Sequence, residues 1–368
     1  MLGLYVHFPF CLKKCGYCDF YSVAGRLDRI RPFLDALERE WNRYTETPGT
    51  FDGLVDTVYF GGGTPSLLEP DQIEQVLRLI RPFLSTTVRP EITLEANPAT
   101  VAPEKLEGYL RAGVNRISIG VQSFDDPLLR LLDRLHSAED ARQAVRMARR
   151  AGFENVNVDL IQAVPGQTLA DWRSTLEKAI SLAPDHLSAY TLSWSCSTPL
   201  GKKIESGLLP RPDEETAVEM SLLSSDVLQG AGFEQYEISN FAKPGKRSRH
   251  NDSYWTGKPY LGLGPSAHSL IGNKRFWNIY DVDRYMDILA QNRLPIEDQE
   301  LLSPEDRKLE RLAVGLRRKE GVSVSELAVD VKKYSVLVEA GLARLQLGML
   351  SLTSRGMLLA DEIAVGLV

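Results

Sequence analysis

The fold is decided near the start of the chain by the stretch Tyr5-Val-His7-Phe-Pro9-Phe-Cys11-Leu-Lys-Lys-Cys15-Gly-Tyr17-Cys18-Asp-Phe20. It begins within a short apolar run, Leu4–Phe8, which predicts a β-strand. Three cysteines follow the run at the spacing C-x3-C-x2-C. The pattern therefore predicts that all three lie on the loop that leaves the C-terminal end of this strand.

The cysteine loop indicates an iron–sulfur site. Thiolate is the protein ligand of iron–sulfur clusters, so one loop with three cysteines can hold three corners of a 4Fe–4S cluster. The fourth iron would stay open to an outside ligand, as a catalytic metal site keeps an open position. Three reduced thiols, or a zinc site with His7 as the fourth ligand, are the alternatives. The cluster is favoured because zinc sites usually pair cysteines as C-x2-C in two halves.

With an aromatic residue before its last cysteine, this motif resembles the signature of radical S-adenosylmethionine (SAM) proteins. The longer string Y-x-H-x-P-F-C-x3-C-x-Y-C-D-F resembles one branch of them, the coproporphyrinogen III dehydrogenase-like proteins, and within it the haem chaperones. The resemblance continues through most of the chain. It implies a 4Fe–4S cluster on Cys11, Cys15 and Cys18, with SAM bound beside it.

The first two hundred residues repeat a strand, a loop and a helix six times. The predicted strands are Leu4–Phe8, Leu54–Phe60, Glu91–Glu95, Arg116–Val121, Asn155–Leu160 and His186–Leu192. Strands that alternate with helices predict an α/β fold with a parallel sheet. Six units are too few for the usual closed barrel of eight strands. The resemblance implies a partial, open (β/α)6 radical SAM barrel over residues 1–198.

Polar residues and glycines stand at the predicted C-terminal strand ends, where α/β sheets place their ligand sites. Gly61-Gly62-Gly63 either lets a backbone approach a ligand closely or forms a tight turn before Pro65. Glu95 closes an apolar strand and needs a partner, because an unpaired buried carboxylate is costly. That partner is either a ligand group or an internal salt bridge to Arg116 or Arg134.

The resemblance assigns roles to these strand-end residues. It implies contacts to SAM from Gly62, Gly63, Thr64, Glu95, Gln122, Arg134 and Asp159. It also implies that Tyr5 and Tyr17 flank the cluster and the cofactor. Cys196, on a loop rich in serine and threonine, is left outside the site.

Residues 199–300 break the repeat and form a predicted α+β segment. Its sharpest feature is Arg249-His250-Asn251-Asp252-Ser253-Tyr254-Trp255. A histidine beside aromatic residues is one kind of haem site, although such a histidine is more often a core or turn residue. The string H-N-x-x-Y-W resembles the motif of the haem chaperones, which implies haem contacts from His250, Asn251, Tyr254 and Trp255, with His250 as the first candidate for iron ligation.

A glycine loop follows in the same segment, Tyr260-Leu-Gly262-Leu-Gly264-Pro-Ser266-Ala-His268. Its glycines suggest a backbone that lies close to a ligand. The resemblance implies that the loop closes near the adenine of SAM. His268 is therefore expected either to contact SAM or to serve as a second haem ligand.

Residues 301–368 resemble a small winged-helix domain. Ser303-Pro304 is a typical helix start. Two more helices are predicted at Ser323–Asp330 and Val336–Leu347, and a hairpin from Met349–Thr353 and Met357–Ala360. The helix expected to read DNA carries only Arg344 as a basic residue, whereas such a helix needs several phosphate-neutralising groups. A packing or docking role is favoured over DNA binding.

Composition indicates the compartment and the class of partner. A net charge of −6 over 368 residues argues against nucleic acid, which needs a basic surface. No apolar stretch approaches the ~20 residues that span a bilayer, and no signal peptide is expected before the first strand. Three clustered cysteines and one distant cysteine fit a reducing compartment. We expect a cytoplasmic protein, monomeric or homodimeric, with peripheral membrane contact left open.

Three functions compete. The first is a haem chaperone that binds haem, a 4Fe–4S cluster and SAM and transfers haem to respiratory acceptor proteins. The second is an oxygen-independent coproporphyrinogen III oxidase, which would decarboxylate its substrate by radical chemistry; the third is another radical SAM enzyme. The decarboxylating enzymes usually extend the motif to C-x3-C-x2-C-x-C and carry a longer N-terminal arm. Here Phe20 stands at the fourth cysteine position, which favours the chaperone and leaves SAM cleavage open. No C-x2-C-H motif for covalent haem is present.

Overall fold

A computed structural model describes residues 1–46, 53–325 and 330–367. Its strands, β1 to β17 in chain order, are Leu2–Phe8, Phe10–Cys11, Val23–Ala24, Val55–Gly62, Glu91–Ala96, Arg116–Gln122, Val156–Gln162, His186–Thr191, Glu234–Gln235, Asn240–Ala242, Tyr260–Leu263, His268–Ile271, Lys274–Asn278, Ile296–Leu301, Val322–Ser323, Ala343–Gln346 and Met349–Leu352. Its helices, α1 to α14, are Ile30–Glu46, Pro70–Ile80, Pro103–Ala112, Asp126–Leu131, Ala138–Ala151, Leu169–Ser181, Pro199–Glu205, Glu214–Gly230, Arg249–Trp255, Val282–Ala290, Pro304–Gly315, Val331–Glu339, Ser354–Met357 and Ala360–Leu367.

The chain folds into two compact units. The first contains Met1–Asp159, Trp194–Leu209 and Pro259–Leu301; the second contains Leu160–Ser193, Pro210–Lys258 and Leu302–Val368. The boundaries near residues 198 and 300 that the sequence suggests stay a prediction. No helix in the described ranges is long and apolar enough to cross a membrane.

A large sheet with a parallel centre forms the core of the first unit. Its strand order is β14-β13-β12-β11-β1-β4-β5-β6, followed by the start of β7. Strands β1, β4, β5 and β6 pair in parallel. Leu4, Val58, Leu94 and Ile117 on these strands are fully buried. Such apolar runs are typical of parallel strands that are covered on both faces. The α/β class predicted from the strand–helix repeat is confirmed.

The part of this sheet beside β1 differs from the sequence-based expectation. The stretch beginning at Tyr260 was expected to be a loop, but β11 is a strand that pairs in parallel with β1. Gly262 fits there because an added Cβ atom would lie 2.3 Å from the carbonyl oxygen of His268. The glycine therefore permits close strand approach, and only the turn from Gly264, with φ of 97°, to Ala267 remains a loop.

The second unit contains strands β8, β10 and β9 in that order, and a separate sheet in the order β15-β17-β16. The sequence predicts a short strand over Glu237–Phe241, and the structure has a strand slightly later in the chain, at β10. A compact apolar core unites the tail, with Leu316 and Leu350 fully buried at its centre. Helix α11 begins as predicted, because Ser303 and Asp306 form a capping box.

The expected elements in the tail are wrong in detail. Helix α12 ends at Glu339, and the chain then forms the hairpin β16–β17 in place of a helix to Leu347. Leu347 and Gly348 have φ of 50° and 78°, and positive φ at two central residues is the geometry of a tight hairpin turn. The expected second hairpin strand, Met357–Ala360, joins helical segments instead. Part of the helix expected at Ser323–Asp330 lies outside the described residues.

Candidate functional site

The cysteine loop is anchored at both ends. Strand β2, which ends at Cys11, pairs in parallel with β3 and so closes the loop. Phe8, Phe10 and Phe33 are buried and pack edge to face, with ring centroids 5.2–5.9 Å apart. His7 lies below the loop with both ring nitrogens in hydrogen bonds, to the hydroxyl of Tyr5 at 3.2 Å and the carbonyl of Tyr21 at 2.9 Å. This environment favours a structural role for His7 over zinc ligation.

The three thiols lie among hydrogen-bond donors suited to thiolate sulfur. The Thr64 hydroxyl donates to Cys11 Sγ at 3.5 Å, and the buried Arg134 guanidinium donates to Cys15 Sγ at 3.5 Å. Burial raises the pKa of the Cys18 thiol to about 11. Iron binding would displace that proton, because a coordinated thiol is deprotonated. Three thiolates on one loop are the donor set that a 4Fe–4S cluster would take, and their role as ligands stays a prediction.

The glycines after β4 are required by packing within the protein. An added Cβ atom would lie 2.7 Å from the His7 ring at Gly62 and 2.6 Å from the Phe10 carbonyl at Gly63. The amide nitrogens of Gly63 and Thr64 donate to carbonyls of the cysteine loop, at 2.7 and 2.9 Å. The glycine segment thus braces the cysteine loop. An ammonium group of a ligand donates hydrogen bonds, so it would be held by acceptor atoms of the segment and not by these N–H groups.

Glu95 lies near the end of β5, and its partners differ from both predicted salt bridges. Its carboxylate accepts hydrogen bonds from the Tyr59 hydroxyl at 2.8 Å and from the Gly62 amide at 3.2 Å. Burial raises the pKa of Glu95 to about 7, and Asp159 adds to the rise while the Tyr59 hydrogen bond opposes it. The carboxylate is thus poised to bind a donor group close to neutral pH.

A polar network continues from Glu95 across the neighbouring strands. Asp159 accepts hydrogen bonds from Ser118 at 2.8 Å and Asn157 at 2.7 Å. Arg116 is almost fully buried, and its Nε and Nη1 have no hydrogen-bond partner in the described part of the chain. Its charge favours the ionised form of Glu95. The sequence predicts no role for Arg116 beyond a salt bridge, although a basic residue within an apolar strand is the signal of a buried charge.

Gln122 and Arg134 are two further polar residues near the end of β6. Gln122 has φ of 65°, a left-handed conformation that is uncommon outside glycine. Arg134 donates to the Gly120 carbonyl at 2.7 Å as well as to Cys15, and its Nε is buried without a partner. Burial raises the pKa of the nearby Tyr17 phenol above its usual range. The first unit thus brings Cys15, Tyr17 and Arg134 together, and their roles at the cofactor stay a prediction.

The haem motif forms helix α9 in the second unit. Ser248 caps the helix by accepting a hydrogen bond from the Asn251 amide. His250 is buried, and its Nε2 lies 2.9 Å from the Tyr254 hydroxyl. The Trp255 ring carries the Arg317 guanidinium over its face at 5.6 Å. The roles of these residues in haem binding stay a prediction.

His268 lies in the first unit, at the start of β12. It is exposed and stacks on Trp277, with ring centroids 5.6 Å apart. Burial of part of the ring lowers its pKa, and Arg275 lowers it further. An exposed, neutral imidazole can contact a ligand, and the choice between SAM and haem stays open.

Comparison with known proteins identifies the family. A sequence profile of the Radical SAM superfamily matches residues 5–179. The heme chaperone HemW of Bacillus subtilis is 35% identical over 373 residues, which cover 99% of this chain and 98% of that protein. HemW of Mycobacterium tuberculosis is 36% identical and covers 98% and 93% of the two chains.

A solved structure agrees with the fold. The Escherichia coli coproporphyrinogen III oxidase HemN, described as a radical SAM enzyme, matches with a TM-score of 0.85 and 25% identity. The match covers 100% of this chain and 89% of the HemN chain. The sequence identity to the HemW proteins is higher and extends over nearly their full length. The protein therefore belongs to the HemW family within the radical SAM superfamily.

Proposed function

We propose that this protein is a haem chaperone that binds haem, a 4Fe–4S cluster and SAM and transfers haem to acceptor proteins. The observation that carries the proposal is its similarity to curated heme chaperones along nearly the whole chain. The motif His250-Asn251-Asp252-Ser253-Tyr254-Trp255 supports it as a folded helix. Respiratory haem proteins are the proposed acceptors, and the cytoplasm is the proposed location.

The strand ends of the first unit supply the cofactor site in this proposal, on the partial (β/α)6 barrel that the sequence predicts. Cys11, Cys15 and Cys18 would hold the cluster, which supplies one-electron chemistry when bound. Glu95 and Asp159 would accept hydrogen bonds from SAM. Arg134 would position Cys15 by its 3.5 Å hydrogen bond. Gly62, Gly63, Thr64 and Gln122, with Tyr5 and Tyr17, would complete the contacts.

A coproporphyrinogen III oxidase is the second candidate, because the HemN structure matches so closely. Phe20 replaces the cysteine that the decarboxylating enzymes carry at this position, and its side chain is 66% exposed. An exposed phenyl group cannot provide a thiolate. This substitution favours the chaperone over the oxidase.

We expect the protein, with its cluster reconstituted under anaerobic conditions, to bind haem stoichiometrically and to leave coproporphyrinogen III unoxidised. Haem titration followed by absorbance and product analysis of the same preparation would measure both properties. Transfer of the bound haem to an apo-haem protein would complete the test. Absence of haem binding together with a decarboxylated porphyrinogen would establish the oxidase instead.

Glu95→Gln is expected to weaken SAM binding by roughly 10- to 100-fold, because hydrogen bonds to a charged acceptor contribute about 1.5–3 kcal/mol. In the wild type, affinity should rise from pH 6 to pH 8 as the carboxylate ionises around its raised pKa of about 7. Equilibrium dialysis with labelled SAM at both pH values measures these effects.

Tyr59→Phe and Glu104→Gln are the matched variants for this test. Tyr59→Phe removes only the hydroxyl that donates to Glu95 and should give a smaller loss of affinity. Glu104 is exposed in the first turn of α3, so its replacement should leave SAM binding unchanged. Wild-type affinity in Glu95→Gln at both pH values would contradict a contact between this carboxylate and SAM.

A further inference from the structure

We propose that the accessible polar face of strands β1, β4, β5 and β7 presents hydrogen-bond acceptors to its ligand and thereby selects the positively charged end of SAM. His7 is the positioning residue of this face, because it accepts the one proton of the Tyr5 hydroxyl. The inference rests on the proposed function, since it takes SAM as the ligand of the first unit.

Four polar residues of these strands stay partly exposed, and together they form what we call the acceptor face: Tyr5, Tyr59, Glu95 and Asp159. The residues directly before and after each of them in its strand are buried. Tyr5 pairs with Tyr59, and Glu95 lies two residues beyond the residue that pairs with Tyr59. Because paired residues share a face and side chains alternate along a strand, these side chains lie on the same side of the sheet.

The polar groups of β4, β5 and β7 on this face act as acceptors. The Tyr59 hydroxyl donates its proton to Glu95 at 2.8 Å. Asp159 accepts hydrogen bonds from Ser118 at 2.8 Å and from Asn157 at 2.7 Å. A phenol has one proton to donate, and an ionised carboxylate has none. A ligand that reaches Tyr59, Glu95 or Asp159 therefore meets oxygen lone pairs.

His7 gives the Tyr5 hydroxyl the same polarity. His7 Nε2 lies 2.9 Å from the backbone carbonyl oxygen of Tyr21, which can only accept, so Nε2 carries a proton. Burial lowers the pKa of His7 to about 4, so its imidazole is neutral near pH 7 and Nδ1 carries no proton. The Tyr5 oxygen lies 3.2 Å from Nδ1, and its hydroxyl is therefore the donor. Every other contact of this hydroxyl is made as an acceptor.

Packing holds the His7 ring in this orientation. An added Cβ atom at Gly62 would lie 2.7 Å from the ring, and one at Gly264 would lie 2.4 Å from the His7 carbonyl oxygen. Tyr21 is fixed in turn, because its hydroxyl accepts a hydrogen bond from the Val282 amide at 2.9 Å. These contacts keep Nδ1 directed at Tyr5.

A face of acceptors favours a ligand that brings positive charge and N–H or O–H donors. The methionine end of SAM carries a sulfonium and an ammonium group. Arg116, the cation that acts on Glu95 from β6, is 1% exposed, so a ligand meets the acceptors and not its guanidinium. The acceptor face therefore distinguishes SAM from a neutral nucleoside by the charge of its methionine end.

The tautomer of His7 is measured directly by nitrogen NMR of protein labelled at histidine. The chain has five histidines, so the signals of His7 are assigned by their loss in His7→Asn. We expect a proton on Nε2 and none on Nδ1 from pH 6 to pH 8. A proton on Nδ1 in this range would overturn the assignment, because Tyr5 would then be the acceptor in its bond to His7.

The selectivity of the acceptor face is tested with SAM and with 5′-methylthioadenosine, which keeps the nucleoside and lacks the charged end. We expect Tyr5→Phe to weaken SAM binding about tenfold or more in the full-length, reconstituted protein, and to leave binding of the neutral probe unchanged. Tyr280→Phe is the control, since Tyr280 is 52% exposed and keeps its ring contact with Tyr21. An equal loss for both probes, or no loss for SAM, would overturn selection of the charged end.

His7→Leu and His7→Asn form a matched pair that tests the positioning role. Both lose the bond to the Tyr21 carbonyl, but the asparagine oxygen can replace Nδ1 as the acceptor for Tyr5. We expect His7→Asn to bind SAM at least about fivefold more tightly than His7→Leu, and this difference to vanish in the Tyr5→Phe background. Equal SAM affinity of the two variants would show that His7 acts only through packing. If the wild type binds neither SAM nor the neutral probe, the proposed function fails, whereas the tautomer of His7 stands as measured.

Discussion

Cys15→Ser is expected to abolish assembly of the iron–sulfur cluster. In the proposed site the loop would supply three ligands to a cluster of four irons, so the loss of one would leave two corners without a protein ligand. A serine hydroxyl is a poor substitute, because iron–sulfur clusters are held by thiolate sulfur. The Arg134 guanidinium that donates to Cys15 Sγ at 3.5 Å would also lose its sulfur acceptor.

Iron and sulfide analysis after anaerobic reconstitution, together with the visible absorbance of the cluster, measures this effect. Cys196→Ser is the matched control, since Cys196 is exposed and lies outside the cysteine loop. It should retain the full iron content of the wild type. Equal iron content in Cys15→Ser would contradict the assignment of this thiol as a ligand.

Measuring haem binding by the Cys15→Ser protein tests whether haem binding depends on assembly of the iron–sulfur cluster. The cysteine loop belongs to the first unit, whereas the proposed haem motif belongs to the second. A cluster-free protein that still binds haem would show that haem capture needs only the fold. A parallel loss of both would show that the cluster is needed for the haem-competent state.

The signals that predict a cofactor site in this chain are local in sequence. The cysteine spacing and the triple glycine each lie within a few residues, and strand ends of a parallel sheet meet at one edge by topology. The partners of Glu95 were not predictable in the same way. Tyr59 and Gly62 reach it from a different strand, and only the paired register of β4 and β5 brings them there.

The elements that the sequence failed to predict depend on contacts between residues that are distant in the chain or on uncommon backbone conformations. Strand β11 was missed because its run is short and glycine-containing, and glycine is depleted in strands; pairing with β1 decides its conformation. The hairpin of the tail was missed because leucine at a turn with positive φ is uncommon. The burial of Arg116 depends on packing against residues that are distant in sequence.

Glu40 is an acidic residue on the buried, apolar face of helix α1. It shares that face with Leu37, Trp41 and Tyr44 and is fully buried. The Tyr285 hydroxyl and the Asn278 amide each donate to it at 2.6 Å, and the Gly264 amide donates at 2.8 Å. Through these bonds one carboxylate fixes the turn after β11.

Glu40→Leu is therefore expected to destabilise the protein by roughly 3–5 kcal/mol, because three buried donors lose their acceptor and each unsatisfied group costs about 1–3 kcal/mol. The melting temperature should fall on the order of 10 °C. Thermal unfolding of the cluster-free protein measures this loss. Asp35→Leu is the control on the same helix, because Asp35 is exposed and pairs with Arg31 at 3.4 Å, and exposed ion pairs contribute little.

The same carboxylate gives the protein a predictable pH dependence. Burial raises the pKa of Glu40 to about 7, so the folded state keeps its proton at pH values where the unfolded chain has lost it. The stability that this group contributes is fully present below pH ~4.5 and is lost as the pH rises towards 7. Glu40→Gln cannot ionise, so its melting temperature should fall less than that of the wild type between pH 5 and pH 7.5. Equal falls in the two proteins would show that Glu40 is ionised throughout and that its three donors, rather than a proton, balance its burial.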